Sequence, residues 1–101
     1  MPAARPTARQ DLTVVELDGE AVIYDERTGE LHHLNPTATI VFDLCDGTQT
    51  IPQMAADIAA AFGMPLAEVE PQVRTVVADL RSAALLKGGR RVAAAALEQA
   101  S

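Results

Sequence analysis

The chain has 101 residues, the size of one domain, and is 49% hydrophobic but only 3% aromatic, so its core must be built from Val, Ile, Leu and Ala. Fourteen acidic against eight basic side chains give a formal charge of −6, which opposes the phosphate neutralisation that nucleic-acid binding depends on. A lone cysteine, Cys45, excludes an internal disulfide or a Cys-x-x-Cys metal pair, and no apolar run approaches the roughly 20 residues that cross a bilayer, so a soluble, cytoplasmic protein is expected.

Residues 1–10 hold two prolines, two arginines and no apolar period, and read as a flexible lead-in with order beginning near Leu12. The domain proper is expected over residues 11–87. Its first strand is Leu12-Thr13-Val14-Val15-Glu16-Leu17, and Asp18-Gly19 separates it from Glu20-Ala21-Val22-Ile23-Tyr24. An Asp-Gly pair between two such runs signals a two-residue hairpin, because both turn positions need positive φ. A polar connection ending at Gly29 leads to a third strand, Glu30-Leu31-His32-His33-Leu34, which completes an antiparallel meander.

Asn35-Pro36 changes the pattern from strand to helix: Asn is a favoured N-cap, and Pro at the first helical position loses no hydrogen bond. Ala38, Val41, Phe42, Leu44 and Cys45 share a face of that first helix, with Asp46-Gly47 closing it. A second helix opens at Thr50, with Gln53 at capping-box spacing, and runs along Met54, Ile58 and Phe62 to Gly63. A third is expected over residues 67–86 with the stripe Val69, Val73, Val76, Val77, Leu80, Ala83 and Ala84, provided Pro71 falls in its first turn. Gly88-Gly89 breaks it, and residues 88–101 are expected to be a flexible or weakly helical tail. The fold class is therefore α+β: a three-stranded antiparallel sheet followed by three helices, in a winged-helix-like order.

Few residues suggest chemistry. His32 and His33 are adjacent on a strand and point to opposite faces, so they do not jointly bind a metal; one is expected beside a groove and the other half-buried. Cys45 falls on the apolar side of a helix, where cysteine acts as a small hydrophobe. Asp25 and Glu26 read as solvated turn residues. No catalytic residue, metal ligand set or cofactor motif emerges, and Arg90-Arg91 reads as a solvated tail.

The junction carries more. Leu34-Asn35-Pro36-Thr37-Ala38-Thr39-Ile40-Val41-Phe42-Asp43-Leu44-Cys45-Asp46-Gly47 resembles the Leu-Asn entry, Thr-Ala, aromatic and Leu-Cys-Asp-Gly exit of PqqD-like proteins. Thr50-Ile51, Ile58-Ala59 and the closing Arg81-Ser82-Ala83-Ala84-Leu85-Leu86 fit the same pattern, so the resemblance extends from Leu12 to Leu86. Phe42 stands where many relatives have Trp, and Ala84 where Gly is common. The resemblance implies a RiPP recognition element: a non-catalytic domain that binds the leader of a ribosomally made precursor peptide and presents it to a modifying enzyme, for example of the radical-SAM type. In that family the leader adds as a strand beside the third strand and lies against the third helix. Carried onto this chain, the peptide site is Glu30, Leu31, His32, His33 and Leu34 at the sheet edge, Val73, Val77 and Leu80 as the pocket wall, and Arg74 and Arg81 as partners for acidic side chains.

Rival readings are a winged-helix DNA binder, a small enzyme or carrier, and an assembly module that docks enzymes without binding peptide. Glu68, Glu70 and Pro71 would face phosphates on the recognition helix of the first, and the second lacks a nucleophile–base pair. The sequence sets neither an oligomeric state nor the surface for an enzyme partner.

Overall fold

The computed structural model describes residues 5–87. Three antiparallel strands, β1 (Leu12–Leu17), β2 (Glu20–Asp25) and β3 (Glu30–Leu34), stand in the sheet in chain order. Three helices follow, α1 (Pro36–Asp43), α2 (Ile51–Phe62) and α3 (Leu66–Ser82), which is the order expected from the sequence.

Local chemistry explains most of the boundaries. Asp18 and Gly19 both take positive φ, 54° and 79°, so β1 and β2 pair through a two-residue turn with Leu17 opposite Glu20. Asn35 accepts the Ala38 N–H at 2.8 Å and Pro36 opens α1, a cap that contributes about 1 kcal/mol. Buried Thr39 then ties α1 to the sheet: its Oγ1 accepts the Ala21 N–H at 3.0 Å and donates to the Leu34 carbonyl at 3.3 Å. Thr50 and Gln53 form the reciprocal capping box of α2, and Gly63 ends that helix in the left-handed region at φ 63°.

Four features differ from the sequence reading. First, residues 5–10 are laid into the fold and order does not wait for Leu12. The Ala8 N–H donates to the Cys45 carbonyl, the Gly47 N–H to Pro6, the Arg9 N–H to Leu85 and the Lys87 N–H to Thr7, so this segment zips together the exits of α1 and α3. Gly47 permits the approach: at φ 83°, a Cβ there would lie 2.8 Å from Thr7 Oγ1. Residues 1–4 and the expected tail at 88–101 lie outside the described residues.

Second, α1 ends at its C-cap Leu44, because Cys45 turns to meet Ala8. Third, α3 ends at Ser82, four residues early. Ala84 takes φ 61°, and the Leu85 N–H closes back on the Leu80 carbonyl at 3.0 Å, which drops Leu85 and Leu86 into the core. Pro71 lies beyond the first turn of α3 and is tolerated on its exposed side.

Fourth, Asp25 is buried at 2% exposure, where a solvated turn residue was expected. Strand alternation places it on the inward face of β2 with Ala21 and Ile23, and Arg9 neutralises it with contacts of 3.0 and 3.4 Å. The core itself joins that sheet face to Val41 and Phe42 of α1, Met54 and Ala55 of α2, and one stripe of α3. Phe62, expected to be core, is 58% exposed because the helix ends there.

Candidate functional site

β3 is an edge strand: β2 pairs with one side of it, and among the described residues no strand or bridge pairs with the other. An edge of this kind offers a row of backbone donors and acceptors to an incoming extended chain. Beside it runs a groove of about 460 Å³ whose far wall is α3. Leu31, His32, His33 and Leu34 form the strand side, and Val76, Asp79, Leu80 and Ala83 form the helix side. Leu34 is buried as the floor anchor, whereas Leu31 is 69% exposed on the other face of the sheet.

The two histidines part company as strand geometry demands. His32 turns inward opposite Ile23 and enters the groove wall. Its Nε2 is buried and has no hydrogen-bond partner among the described residues, and burial holds the imidazole below its ordinary pKa, an effect that nearby Asp25 partly opposes. A neutral imidazole with an unsatisfied nitrogen is a donor or acceptor awaiting a partner. His33 instead points outward to Glu20 Oε1 at 3.1 Å and is exposed, so His32 is the half-buried member of the pair.

Of the helix residues expected at the site, only Leu80 reaches this groove. Val73 and Val77 are core residues at 2% and 1% exposure and do not line this groove; Val73 instead lines an apolar pocket nearer the start of α3. Arg74 and Arg81 project roughly half a turn of helix away from Ala83 and Val76, at about 100° per residue. Arg74 pairs with Glu70 at 3.1 Å, and neither arginine lines the groove. Among the described residues, the one carboxylate or cationic Lys/Arg side chain lining the groove is Asp79. The sequence reading missed Val76 as a wall residue, together with Asp79 and Ala83. Their signal was the margin of the apolar stripe, where Val76 and Ala83 share a side of the helix with the polar Gln72 and Asp79 at helical spacing.

The groove does not stop at the end of β3. It continues over Asn35, Thr37, Gln72, Thr75 and Val76, and then opens into an apolar pocket of about 270 Å³ between α1, the end of α2 and the start of α3. The thiol weighed in the sequence as a nucleophile does not line this face. Cys45 is buried away from it, donates to the Val41 carbonyl, and has its thiol pushed up to about 11 by burial and by Asp46. No group of His, Cys, Asp and Glu able to hold a metal occurs among the described residues. Glu16 and Asp43 share a hydrogen bond that raises the Glu16 carboxyl, but both are exposed at the far edge of the sheet.

Two solved structures resemble this fold. One is TbiB1 in complex with the TbiA(beta) leader peptide: TM-score 0.71, 20% identity, covering 81% of this chain and 95% of that one. The other is a lasso peptide synthetase B1 complexed with the leader peptide: TM-score 0.68, 20% identity, covering 82% and 96%. No match is found among curated protein sequences. The family model for coenzyme PQQ synthesis protein D (PqqD) matches residues 20–86, a span that takes in β2, β3, all three helices and the groove between them. The chain belongs to the PqqD family.

Proposed function

We propose that this protein is a non-catalytic, cytoplasmic peptide-binding domain that takes the leader of a ribosomally synthesised precursor peptide as a fourth strand on β3 and presents the rest of the peptide to a separate modifying enzyme, for example of the radical-SAM type. The observation that carries this is the pairing of a strand edge that no other described strand covers with an adjoining half-apolar groove that holds a buried His32 nitrogen without a partner among the described residues. Backbone pairing would give affinity, and side chains falling alternately into the groove would give selectivity. The resemblance in fold to two domains solved with leader peptides supports the same reading. No helix among the described residues is long and apolar enough to cross a membrane.

The peptide site we propose keeps residues 31–34 and Leu80, and adds Val76, Asp79 and Ala83. Asp79 favours a leader that is neutral or basic where it crosses the helix. Tethering would act by raising the effective concentration of the modifiable segment at the enzyme, with no chemical step on this chain.

The test is calorimetry and amide-shift mapping of the full chain against synthetic peptides covering the N-terminal halves of short reading frames beside its gene. Saturable binding that shifts the amides of residues 31–34, and that Val76→Asp weakens by about tenfold or more, is the expected result. Peptides that bind without moving those amides would refute strand addition.

A further inference from the structure

The strand groove and the apolar pocket beyond it are parts of one channel. Val76 and Asn35 line both the β3 section and the middle section, and Thr37 and Gln72 line both the middle section and the pocket. One stripe of α3 forms the wall throughout, from Ala83 and Leu80 at one end to Val73 and Val69 at the other. The middle section is floored largely by polar side chains, Asn35, Thr37, Gln72 and Thr75, whereas the pocket is walled by Ile40, Val41, Ile58, Phe62 and Met64.

We infer that the pocket between α1, α2 and α3 is a second anchor site for the same peptide, and that it takes a bulky apolar side chain outside the strand-paired segment. This rests on the reading of β3 as a peptide-binding edge. An apolar cavity of about 150 Å³ accommodates a benzene ring. The 270 Å³ here accepts an aromatic ring or a Leu-sized group together with the stem that carries it.

The spacing follows from geometry. Leu80 and Val69 are separated by about 16 Å along the helix axis, which extended chain spans in about five residues. β3 runs towards the N-terminus of α1, so its Leu34 end faces the channel and the pocket. A peptide pairing antiparallel to β3 therefore sends its N-terminal flank across Asn35 and Thr37. The peptide class specified is an extended segment with alternating apolar side chains, preceded by a polar stretch and, about five residues upstream, one bulky apolar residue. Exposed Phe62 and Met64 at the pocket mouth then have a role: they close over that side chain.

The probe is the tightest peptide selected by the full-length chain from a random displayed library on the order of sixteen residues long, enough to span both sections. Met64→Asp puts a charge at the pocket mouth from an exposed position, and Thr37→Phe plugs the pocket from the exposed first turn of α1. Each should weaken the peptide by about tenfold or more, while the amides of residues 31–34 still shift at saturation. Removing the upstream bulky residue from the peptide should cost the same factor and abolish sensitivity to both variants. Affinities within about twofold of wild type for both folded variants, with the β3 amides shifting normally, would overturn the second anchor and leave strand addition standing. Failure of those amides to shift with any selected peptide, or a selection that returns no binder, would overturn both.

Discussion

Asp25 and His32 both point inward from neighbouring strands of one sheet, yet the fold treats them in opposite ways. The Asp25 carboxylate is completely served: Arg9 reaches both its oxygens, the Arg27 N–H donates to it, and the same guanidinium continues to Asp11 and to the Ala84 carbonyl. His32 has a buried nitrogen with no hydrogen-bond partner among the described residues. One corner is a closed polar network that locks the leading segment, the sheet and the exit of α3 together. The other is open where the sheet edge meets the groove. Closed networks are structural because no valence remains for a ligand, and open ones are where a ligand can gain most.

The sharpest break of this contrast compares two adjacent valines. Val77→Asp buries a charge in the core and should cost about 4 kcal/mol or more, enough to unfold most of the chain in a urea titration. Val76→Asp, one position away on the groove side, should leave the urea midpoint nearly unchanged while removing peptide binding. If both variants stay folded, the division of α3 into a core stripe and a groove stripe is wrong.

The closed corner should come next in size. Arg9→Ala strands the buried Asp25 carboxylate and should destabilise by about 3 kcal/mol, read as a lower urea midpoint, without altering which amides a bound peptide shifts. Loss of peptide recognition in a folded Arg9→Ala protein would show that the corner is not purely structural.

Acidification should separate the two corners by pH. The Arg9 hydrogen bonds hold Asp25 below its ordinary 3.8, so its contribution is fully present above that value and is lost as pH falls through the lower, folded-state pKa. Burial holds His32 below its ordinary 6.5, so the unfolded chain takes up its proton first and stability declines as pH drops from about 6.5 towards the folded value. A stability–pH curve should therefore show a shallow decline beginning near 6.5 and a steeper one below 4, and His32→Gln should remove only the first. A bound peptide whose carbonyl accepts from a protonated Nε2 should flatten that shallow decline, whereas a peptide N–H donating to Nε2 should deepen it.

The smallest effect concerns the C-terminal end of α3. Ala84 sits at φ 61°, where an L residue is strained by about 1–2 kcal/mol, and part of the gain from glycine is offset by the freer unfolded chain. Ala84→Gly should raise stability by about 0.5–1 kcal/mol in the same titration. A decrease would mean that the alanine methyl, half-buried there, packs more productively than its backbone strain costs.

Elements whose causes are local could be read directly. The Asp18-Gly19 turn, the Asn35-Pro36 start of α1, the Thr50–Gln53 box and the Gly63 stop each depend on residues within about one helical turn of one another, and they appear where the pattern puts them. The edge at β3 was legible too, because a meander has an edge at each end. Less legible was the division of labour on α3. Val73 and Val77 carried a strong apolar signal and were assigned to the wall beside β3, but such a signal marks the deepest residues: Val77 is sealed in the core, and Val73 lines the second pocket and not the β3 groove. The early end of α3 was hidden because alanine gives no sign of the left-handed conformation that Ala84 adopts.

By itself, then, the sequence determined the strand-and-helix order, the turns and caps, the family resemblance and the strand that ends the sheet, since all of these are written in spacings a few residues long. The tertiary structure alone decided that Arg9 neutralises Asp25, that residues 5–10 join the exits of α1 and α3, and that Val76, Asp79 and Ala83 front a groove running on to a second pocket. Those outcomes depend on contacts between residues far apart in the chain, and on which side of a helix meets a sheet, and periodicity along a single segment carries no information about either.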